Sequence, residues 1–304
     1  MKRLLLLLAL LPAAVWGYDF NFKIVNDEAV ITRSPNAKGE VEIPSKIEVK
    51  GVKYPVTTIA DSAFYDNYNV TDIKLPKSIT RIGTLAFFRT SVQEPIYTKT
   101  IFAYLPEGYE GGYKMPKGIT TIAGGAFMAC GGLTSIEMPK SIEHIGEYAF
   151  WGTSVGHPIY SKNEFVYMPT NYKGPYVIPE GITEIAENAF YGCNELEAVT
   201  LPNSVRSIGK KSFFQCSKLI TLNLPTELDE IGDSAFYQCT SLISIILPEN
   251  ITSIDSGAFS NCGSLESIIL PDRITVIGNL AFRNCVSLTS ITIPDSVTKI
   301  GKTS

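Results

Sequence analysis

Short segments in which apolar and polar residues alternate recur along the chain, and each of them ends at a proline. In one such segment Leu219, Leu222 and Leu224 are apolar, and Thr221 and Asn223 lie between them, a pattern that predicts a half-buried β-strand. Pro225 ends the strand because its nitrogen has no hydrogen to donate. A turn follows and then Phe236, the one large side chain of this part of the repeat.

The pattern returns with a fixed period. Apolar residue–proline pairs mark the strand ends every 23 residues, at Ile178-Pro179, Leu201-Pro202, Leu224-Pro225, Leu247-Pro248, Leu270-Pro271 and Ile293-Pro294. A small residue and Phe, followed three positions after the Phe by Cys, Thr or Asn, define nine repeats, and a partial tenth begins at Ile293. One repeat cannot bury its own apolar side chains, so the repeats must stack. The sequence predicts a solenoid whose parallel strands lie about 4.8 Å apart.

Two spacings are 40 residues instead of 23, and both contain the same insertion. Residues 95–114 and 158–177 share a Pro-Ile-Tyr…Tyr-x-Pro pattern, which predicts two β-hairpin insertions holding 8 of the 15 tyrosines. Tyrosine combines a broad apolar ring with a polar tip, as binding surfaces use. The candidate contact residues here are Tyr97, Tyr104, Tyr109, Tyr160, Tyr167 and Tyr172. The alternative is that these rings pack against the solenoid itself.

One column of small side chains runs through all nine repeats. Its members are Asn67, Thr90, Cys130, Thr153, Cys193, Cys216, Cys239, Cys262 and Cys285. Cys, Asn and Thr can each donate a side-chain hydrogen bond to inward-facing backbone, so this position predicts a buried structural ladder. Five of the cysteines, from Cys193 to Cys285, fall on successive coils and cannot all pair, which favours free thiols. One or two disulfides between coils are the alternative, since neighbouring coils lie close enough.

The outward positions of the predicted sheet are the other candidate binding surface, on the concave face of the solenoid. They include Asn223, Ser244, Ile246, Ser267, Ile269 and Thr292. Ile246 and Ile269 would form an exposed apolar pair, and such a cluster indicates a partner. The alternative is that β-branched residues simply favour strands.

The N-terminus predicts export. Lys2 and Arg3 precede eight apolar residues and a small-residue stretch that ends at Gly17, the pattern of a secretory signal peptide. We expect residues 1–17 to be removed after Gly17. No other segment approaches 18 apolar residues, so we expect no membrane span in the mature chain. Residues 18–58 alternate in short runs outside the repeat and predict a β cap over the first coil.

Charge and composition exclude several function classes. Without Lys2 and Arg3 the chain carries 24 basic and 30 acidic residues, a net charge of −6, so we expect no nucleic-acid or anionic-lipid partner. The two histidines, His144 and His157, lack metal-ligand spacing, and no nucleotide-binding loop occurs. We therefore expect no metal site and no cofactor.

One motif resembles a catalytic one. Residues 152–156 match G-x-S-x-G around Ser154, but the strand and helix that flank a nucleophile elbow are not predicted there. A secreted hydrolase is the hypothesis that this motif leaves open. We expect no catalytic residue and no enzyme.

The repeat resembles the BspA-like leucine-rich repeats, the 23-residue bacterial surface type. Its pattern L-x-x-I-x-L-P-x-x-I-x-x-I-G-x-x-A-F-x-x-C is matched by residues 265–285, and the resemblance covers residues 59–304. It implies a right-handed leucine-rich-repeat superhelix with short helical or 3-10 turns on the convex side.

The same resemblance implies a function, because members of this family are associated with adhesion and host-protein binding. We expect a secreted or cell-surface protein that binds a protein or glycan at the cell surface or in the extracellular matrix. Two alternatives stay open: a glycan-binding protein that uses the tyrosine-rich hairpins, and a structural surface protein with no specific ligand.

Overall fold

A computed structural model describes residues 20–304, so the predicted signal peptide at 1–17 lies outside the described residues. The chain divides into two compact units at Val155 and Gly156, here called the N-terminal unit and the C-terminal unit. In each unit the strands stack mainly in parallel into a β-solenoid, with about 12 turns in the two units. The predicted leucine-rich-repeat solenoid is confirmed.

The N-terminal unit has 13 strands in the described residues, and its first five strands, at residues 22–59, are called the cap. Its strands are β1 (Phe22–Val25), β2 (Glu28–Ile31), β3 (Gly39–Glu42), β4 (Lys46–Val49), β5 (Val52–Ile59), β6 (Val70–Lys74), β7 (Arg81–Ile82), β8 (Ile96–Tyr97), β9 (Ile101–Tyr104), β10 (Gly111–Lys114), β11 (Thr121–Ile122), β12 (Leu133–Glu137) and β13 (His144–Ile145). Strands β1, β2, β5 and β4 lie side by side in that order. Strand β5 also pairs in parallel with β7, and β3 pairs in parallel with β6. The cap and the first coil therefore share their sheets.

The C-terminal unit repeats two kinds of strand. Its strands are β14 (Ile159–Tyr160), β15 (Glu164–Tyr167), β16 (Gly174–Val177), β17 (Glu184–Ile185), β18 (Leu196–Thr200), β19 (Ser207–Ile208), β20 (Thr221–Asn223), β21 (Glu230–Ile231), β22 (Ser244–Ile246), β23 (Ser253–Ile254), β24 (Ser267–Ile269), β25 (Val276–Ile277) and β26 (Lys299–Ile300). The longer strands β16, β18 and β20 pair in parallel, as do β22 and β24, and their outward side is called the long-strand face. The two-residue strands form a second set of parallel pairs.

The third side of each coil consists of turns, and the expectation of short helices there is wrong for the described residues. Each of these turns holds two residues, four positions apart, in the left-handed conformation, such as Lys211 (φ 53°) and Gln215 (φ 61°). Two left-handed residues interrupt a right-handed helical turn. The backbone bonds to the next coil instead, as where the Phe213 N–H donates to the Ala235 carbonyl at 2.8 Å.

The core of each unit is a column of stacked phenylalanine rings. In the C-terminal unit the centroid distances are 4.7 Å for Phe165–Phe190, 4.7 Å for Phe190–Phe213, 5.4 Å for Phe213–Phe236, 5.3 Å for Phe236–Phe259 and 5.7 Å for Phe259–Phe282. The N-terminal unit has Phe64–Phe87 at 5.9 Å, Phe102–Phe127 at 4.8 Å and Phe127–Phe150 at 5.0 Å. The repeat period therefore places like side chains above one another.

The two insertions form coils of their own. Strands β8 and β9 make an antiparallel hairpin, and so do β14 and β15. The second strand of each hairpin pairs with the following coil, β9 with β11 and β15 with β17. The rest of each insertion supplies a long strand, β10 or β16, that pairs in parallel with the next one. Each insertion thus adds a shortened coil.

Candidate functional site

The cysteine column lies inside the coils, and each thiol bonds to the coil before it. The Sγ atoms of Cys216, Cys239, Cys262 and Cys285 donate at 3.1 Å to the carbonyls of Phe190, Phe213, Phe236 and Phe259. Cys130 and Cys193 bond in the same way to the inserted coils, at 3.4 and 3.7 Å. All six cysteines of the sequence lie within residues 20–304 and are free thiols.

Burial keeps these thiols protonated. It raises the pKa of Cys130 and of Cys193 to about 12, and it raises the pKa of the Cys239 thiol well above its usual range. The thiolate is the nucleophilic form of cysteine, so this column is suited to holding the coils together and unsuited to catalysis.

The Thr and Asn members of the column bond differently. Thr90 and Thr153 donate at 2.9 Å to the carbonyl three residues earlier, within their own coil. Asn67 reaches the cap, where its Nδ2 donates to the carbonyls of Ser34 at 3.0 Å and Ala37 at 2.9 Å. The ladder therefore joins successive coils at Cys and at Asn67, whereas the two threonines brace a single coil.

Two pairs of exposed isoleucines lie at the long strands of the C-terminal unit: Ile246 and Ile269 within β22 and β24, and Ile220 and Ile243 directly before β20 and β22. Ile246 is 67% exposed and Ile269 is 59% exposed, and they lie opposite each other in β22 and β24. Ile220 and Ile243, which the sequence argument missed, are 44% and 43% exposed and adjoin each other through the Ile243 N–H and the Ile220 carbonyl. We call these four residues the isoleucine patch.

The other residues predicted for this face are also exposed. Asn223, Ser244, Ser267 and Thr292 all lie on the solvent side. Ser244 and Ser267 stand opposite each other between the two isoleucine pairs, so small hydroxyl side chains separate the apolar ones. A partner can approach the backbone closely along this line of small residues.

The longer parallel strands of the N-terminal unit carry two ion pairs. Lys114 Nζ lies 2.7 Å from Glu137 Oε1, and Lys74 Nζ lies 3.4 Å from Glu40 Oε2. Each pair joins neighbouring strands, and exposed pairs of this kind stabilise a fold by about 0–1 kcal/mol. These four charges are therefore paired across the strands.

The tyrosines of the two insertions repeat one arrangement. Tyr109 and Tyr172 each lie edge-to-face at 5.5 Å on a second tyrosine, Tyr113 and Tyr176, with an interplanar angle of 86° in both units. Their hydroxyls donate to a carbonyl three residues later, at 2.8 and 3.0 Å. Burial, together with the nearby phenols, raises the pKa of Tyr113 to about 12. These rings are mainly structural.

The remaining predicted tyrosines differ in exposure. Tyr97 and Tyr160, at equivalent positions in the two hairpins, are 48% and 45% exposed. Tyr167 is half-buried. Tyr104 is buried, with 3% exposure, because β9 lies between β8 and β11 and all four of its residues are covered. Tyr104 is therefore not available to a ligand, contrary to the expectation from the sequence.

Ser154 has a structural contact. Its Oγ donates to the Gly131 carbonyl at 2.6 Å, one coil earlier. Ser91 and Thr240 stand at the equivalent position of other coils and make the same bond, at 2.8 and 3.2 Å. The G-x-S-x-G match is thus a position where a hydroxyl joins one coil to the next.

The histidines are both exposed and on the surface. The Nδ1 of His157 lies 3.3 Å from the Pro158 carbonyl oxygen. Across residues 20–304, no group of three or more His, Cys, Asp or Glu side chains could hold a metal ion. The same part of the chain has no helix long and apolar enough to cross a membrane.

Comparisons with known proteins agree with this architecture. The family model described as "BspA type Leucine rich repeat region" matches this chain in six copies, over residues 45–107, 112–172 and 183–304. No curated protein matches the sequence. The crystal structure of a leucine-rich repeat protein from Eubacterium ventriosum is 20% identical, over 94% of this chain and 91% of that chain, with a TM-score of 0.53, and it supports the solenoid fold.

Two further solved structures are similar over nearly the whole chain. A leucine rich cell surface protein from Faecalibacterium prausnitzii is 25% identical, over 94% of this chain and 93% of that chain, with a TM-score of 0.49. The pneumococcal vaccine antigen PcpA is 17% identical, over 93% and 92%, with a TM-score of 0.39. Because the matched repeats span most of the sequence, the chain belongs to the BspA-type leucine-rich repeat family.

Proposed function

We propose that this protein is exported and binds another protein, at a cell surface or in the extracellular matrix, through the isoleucine patch. It acts without catalysing a reaction. The carrying observation is that two pairs of isoleucines, each side chain more than 40% exposed, lie on three successive coils, and the members of each pair are neighbours. Adjoining exposed apolar side chains of this kind are typical of interaction sites.

Strand propensity alone does not account for these isoleucines. At the position of Ile220 and Ile243, at or just before the start of the long strand, the neighbouring repeats carry Glu197 and Glu266, so this position does not require a β-branched residue. Covering the patch would contribute about 1 kcal/mol for each half-exposed isoleucine. The patch therefore offers a partner a useful share of its binding free energy.

The side chains that could act as nucleophiles have structural contacts, which supports a binding role. The buried thiols are held protonated, and the Ser154 hydroxyl is bonded to the preceding coil. The membership of the family and its cell-surface relatives support export and a surface location.

The test is capture of partners by residues 18–304 from cell-surface and matrix extracts. We compare the unmodified chain with Ile246→Ser/Ile269→Ser and with a control, Val177→Ser/Val286→Ser, which removes two exposed valines outside the patch. We expect the patch variant to lose at least about tenfold of a partner that the control retains. Equal capture by all three chains contradicts the proposal, provided that their unfolding midpoints agree.

A second candidate function is glycan binding by the hairpins. The observation that favours it is that Tyr97 and Tyr160 are half-exposed at equivalent positions of both insertions, and an exposed aromatic ring suits the apolar face of a sugar. A glycan array with Tyr97→Ala/Tyr160→Ala tests this. Tyr68→Ala, at a 60% exposed tyrosine outside the insertions, is the control. Glycan signals that survive the double substitution contradict it, and a structural role without a ligand predicts no signal at all.

A further inference from the structure

We infer that the partner of the isoleucine patch is a cationic polypeptide segment with apolar side chains. The inference rests on the proposed function and specifies the chemistry of the partner. It is carried by the placement of charge around the patch, because the coils that bear the isoleucines hold carboxylates and no basic side chain lies within residues 219–272.

The charge distribution along these coils is one-sided. Residues 219–272 contain no Lys, Arg or His. They contain eight carboxylates: Glu227, Asp229, Glu230, Asp233, Glu249, Asp255, Glu266 and Asp272. At the boundary of this segment Lys218 is engaged, with its Nζ 2.8 Å from Glu195 Oε2. The charged side chains of the segment that bears the patch are therefore all negative, and Lys218 and Arg273 stand at its two boundaries.

Carboxylates also flank the patch on the face itself. The Ile220 N–H donates to the Glu197 carbonyl at 2.9 Å, and the Glu266 N–H donates to the Ile243 carbonyl at 2.8 Å. Glu197, Ile220, Ile243 and Glu266 thus occupy one position on four successive coils, about 4.8 Å apart. Both glutamates are exposed, so one isoleucine pair has a carboxylate at each end.

The second isoleucine pair has carboxylates at the strand ends. Glu249 and Asp272 follow Ile246 and Ile269 by three residues, are 23 residues apart, and are both exposed. A ligand that covered the apolar centre would place its outer residues against these four carboxylates. An acidic ligand would be repelled, and an uncharged apolar ligand would leave the carboxylates unpaired near its edge.

Elsewhere carboxylates on neighbouring coils have a lysine partner. Lys114 pairs with Glu137 at 2.7 Å, and Lys218 pairs with Glu195 at 2.8 Å. No ion pair of this kind involves Glu249, Glu266 or Asp272 in the described residues, so a ligand can supply their cation. The isoleucines then contribute affinity by burial, and the carboxylates contribute selectivity and a salt-dependent association rate.

Three synthetic peptides of about 18 residues test the inference. One is an amphipathic Lys/Leu peptide, one replaces every Lys by Glu, and one replaces every Leu by Ser. Binding to residues 18–304 is measured by calorimetry at about 50 and about 200 mM salt. We expect only the Lys/Leu peptide to bind well, more weakly at the higher salt.

Matched variants locate the site. Ile246→Ser/Ile269→Ser should weaken binding of the Lys/Leu peptide at least about tenfold, and Glu249→Gln/Glu266→Gln/Asp272→Asn at least about fivefold. A control, Glu180→Gln/Asp229→Asn/Glu230→Gln, removes the same net charge at exposed carboxylates that do not flank the isoleucines and should stay within about twofold. Unfolding midpoints of all variants verify that each is folded.

Two results overturn the inference. Binding of the Glu/Leu or the Lys/Ser peptide as tight as that of the Lys/Leu peptide removes the requirement for a ligand that is both cationic and apolar. Failure of the Lys/Leu peptide to bind, while the patch variant still loses its captured partner, shows that the class of partner is wrong although the proposed function holds. If the patch variant captures partners normally, the proposed function itself has failed.

Discussion

The stacked phenylalanine column predicts that the cost of removing a ring depends on its position in the column. Phe236 is fully buried, and its ring centroid lies 5.4 Å from that of Phe213 and 5.3 Å from that of Phe259. Phe282 is partly exposed and stacks on Phe259 at 5.7 Å. Phe236→Ala therefore removes two ring contacts and leaves a closed cavity, whereas Phe282→Ala opens a space that water can enter.

The magnitudes follow from burial and stacking. Replacing a buried phenylalanine by alanine costs about 3–5 kcal/mol, and each favourable ring pair accounts for about 0.5–1.5 kcal/mol of that. We expect the free energy of unfolding to fall by about 3–5 kcal/mol for Phe236→Ala and by about 1–2 kcal/mol for Phe282→Ala. Phe236→Leu, which keeps most of the volume, should cost about 1–1.5 kcal/mol.

The assay is urea denaturation of residues 18–304 followed by circular dichroism, together with amide hydrogen exchange. Exchange is needed because a stacked array can open in parts, and its stability is close to a sum over neighbouring coils. In Phe236→Ala the protection of the Phe213 N–H, which bonds to the Ala235 carbonyl, should fall most. Equal losses for Phe236→Ala and Phe282→Ala, or a loss below about 1 kcal/mol for both, would refute the neighbour argument.

Three other expectations follow from single residues. Burial, with Glu184 directly opposite, raises the pKa of Glu164 from 4.5 to about 7. Stability is then lost as the pH rises from the unfolded pKa to the folded one. Glu164→Gln should therefore stabilise the fold by about 1–2 kcal/mol near pH 8 and by little near pH 4, measured by urea denaturation. Cys285 is the partly exposed cysteine of the ladder. It should react with a thiol reagent such as a disulfide dye well before the fully buried Cys239, and equal reaction rates would contradict the ladder geometry. Leu280 has a φ of 58°, so Leu280→Gly should raise the unfolding midpoint through relief of about 1 kcal/mol of backbone strain, and a lower midpoint would count against this explanation.

The repeat period is the part of the architecture that the sequence predicts best. Because a 23-residue spacing forces like side chains into register, the positions of Phe236 and Cys239 in the interior follow from the period alone. Exposure of Ile246 and Ile269 follows from the alternation of the strand. The inserted segments are harder, since their length of 17 extra residues does not indicate whether they project or stack.

Two misjudged positions have identifiable physical causes. Tyr104 is predicted as a contact residue because its hairpin is aromatic, but all four residues of β9 are buried and Tyr104 packs in the core of the N-terminal unit. Ile220 is not among the predicted surface residues, because an apolar residue next to Leu219 in the sequence resembles an ordinary core residue. Comparison with Glu197 and Glu266 at the same repeat position was the signal that could have found it.

The pairs of left-handed residues in the turns have a consequence for the order of folding. A non-glycine residue in that conformation costs about 1–3 kcal/mol, and in most coils both positions are occupied by such residues, as at Lys211 and Gln215. An isolated coil would bear this cost with no neighbour to offset it. Folding is therefore expected to nucleate across adjacent coils. It should begin where glycine relieves the strain, as at Gly192 and Gly257, and spread outward one coil at a time.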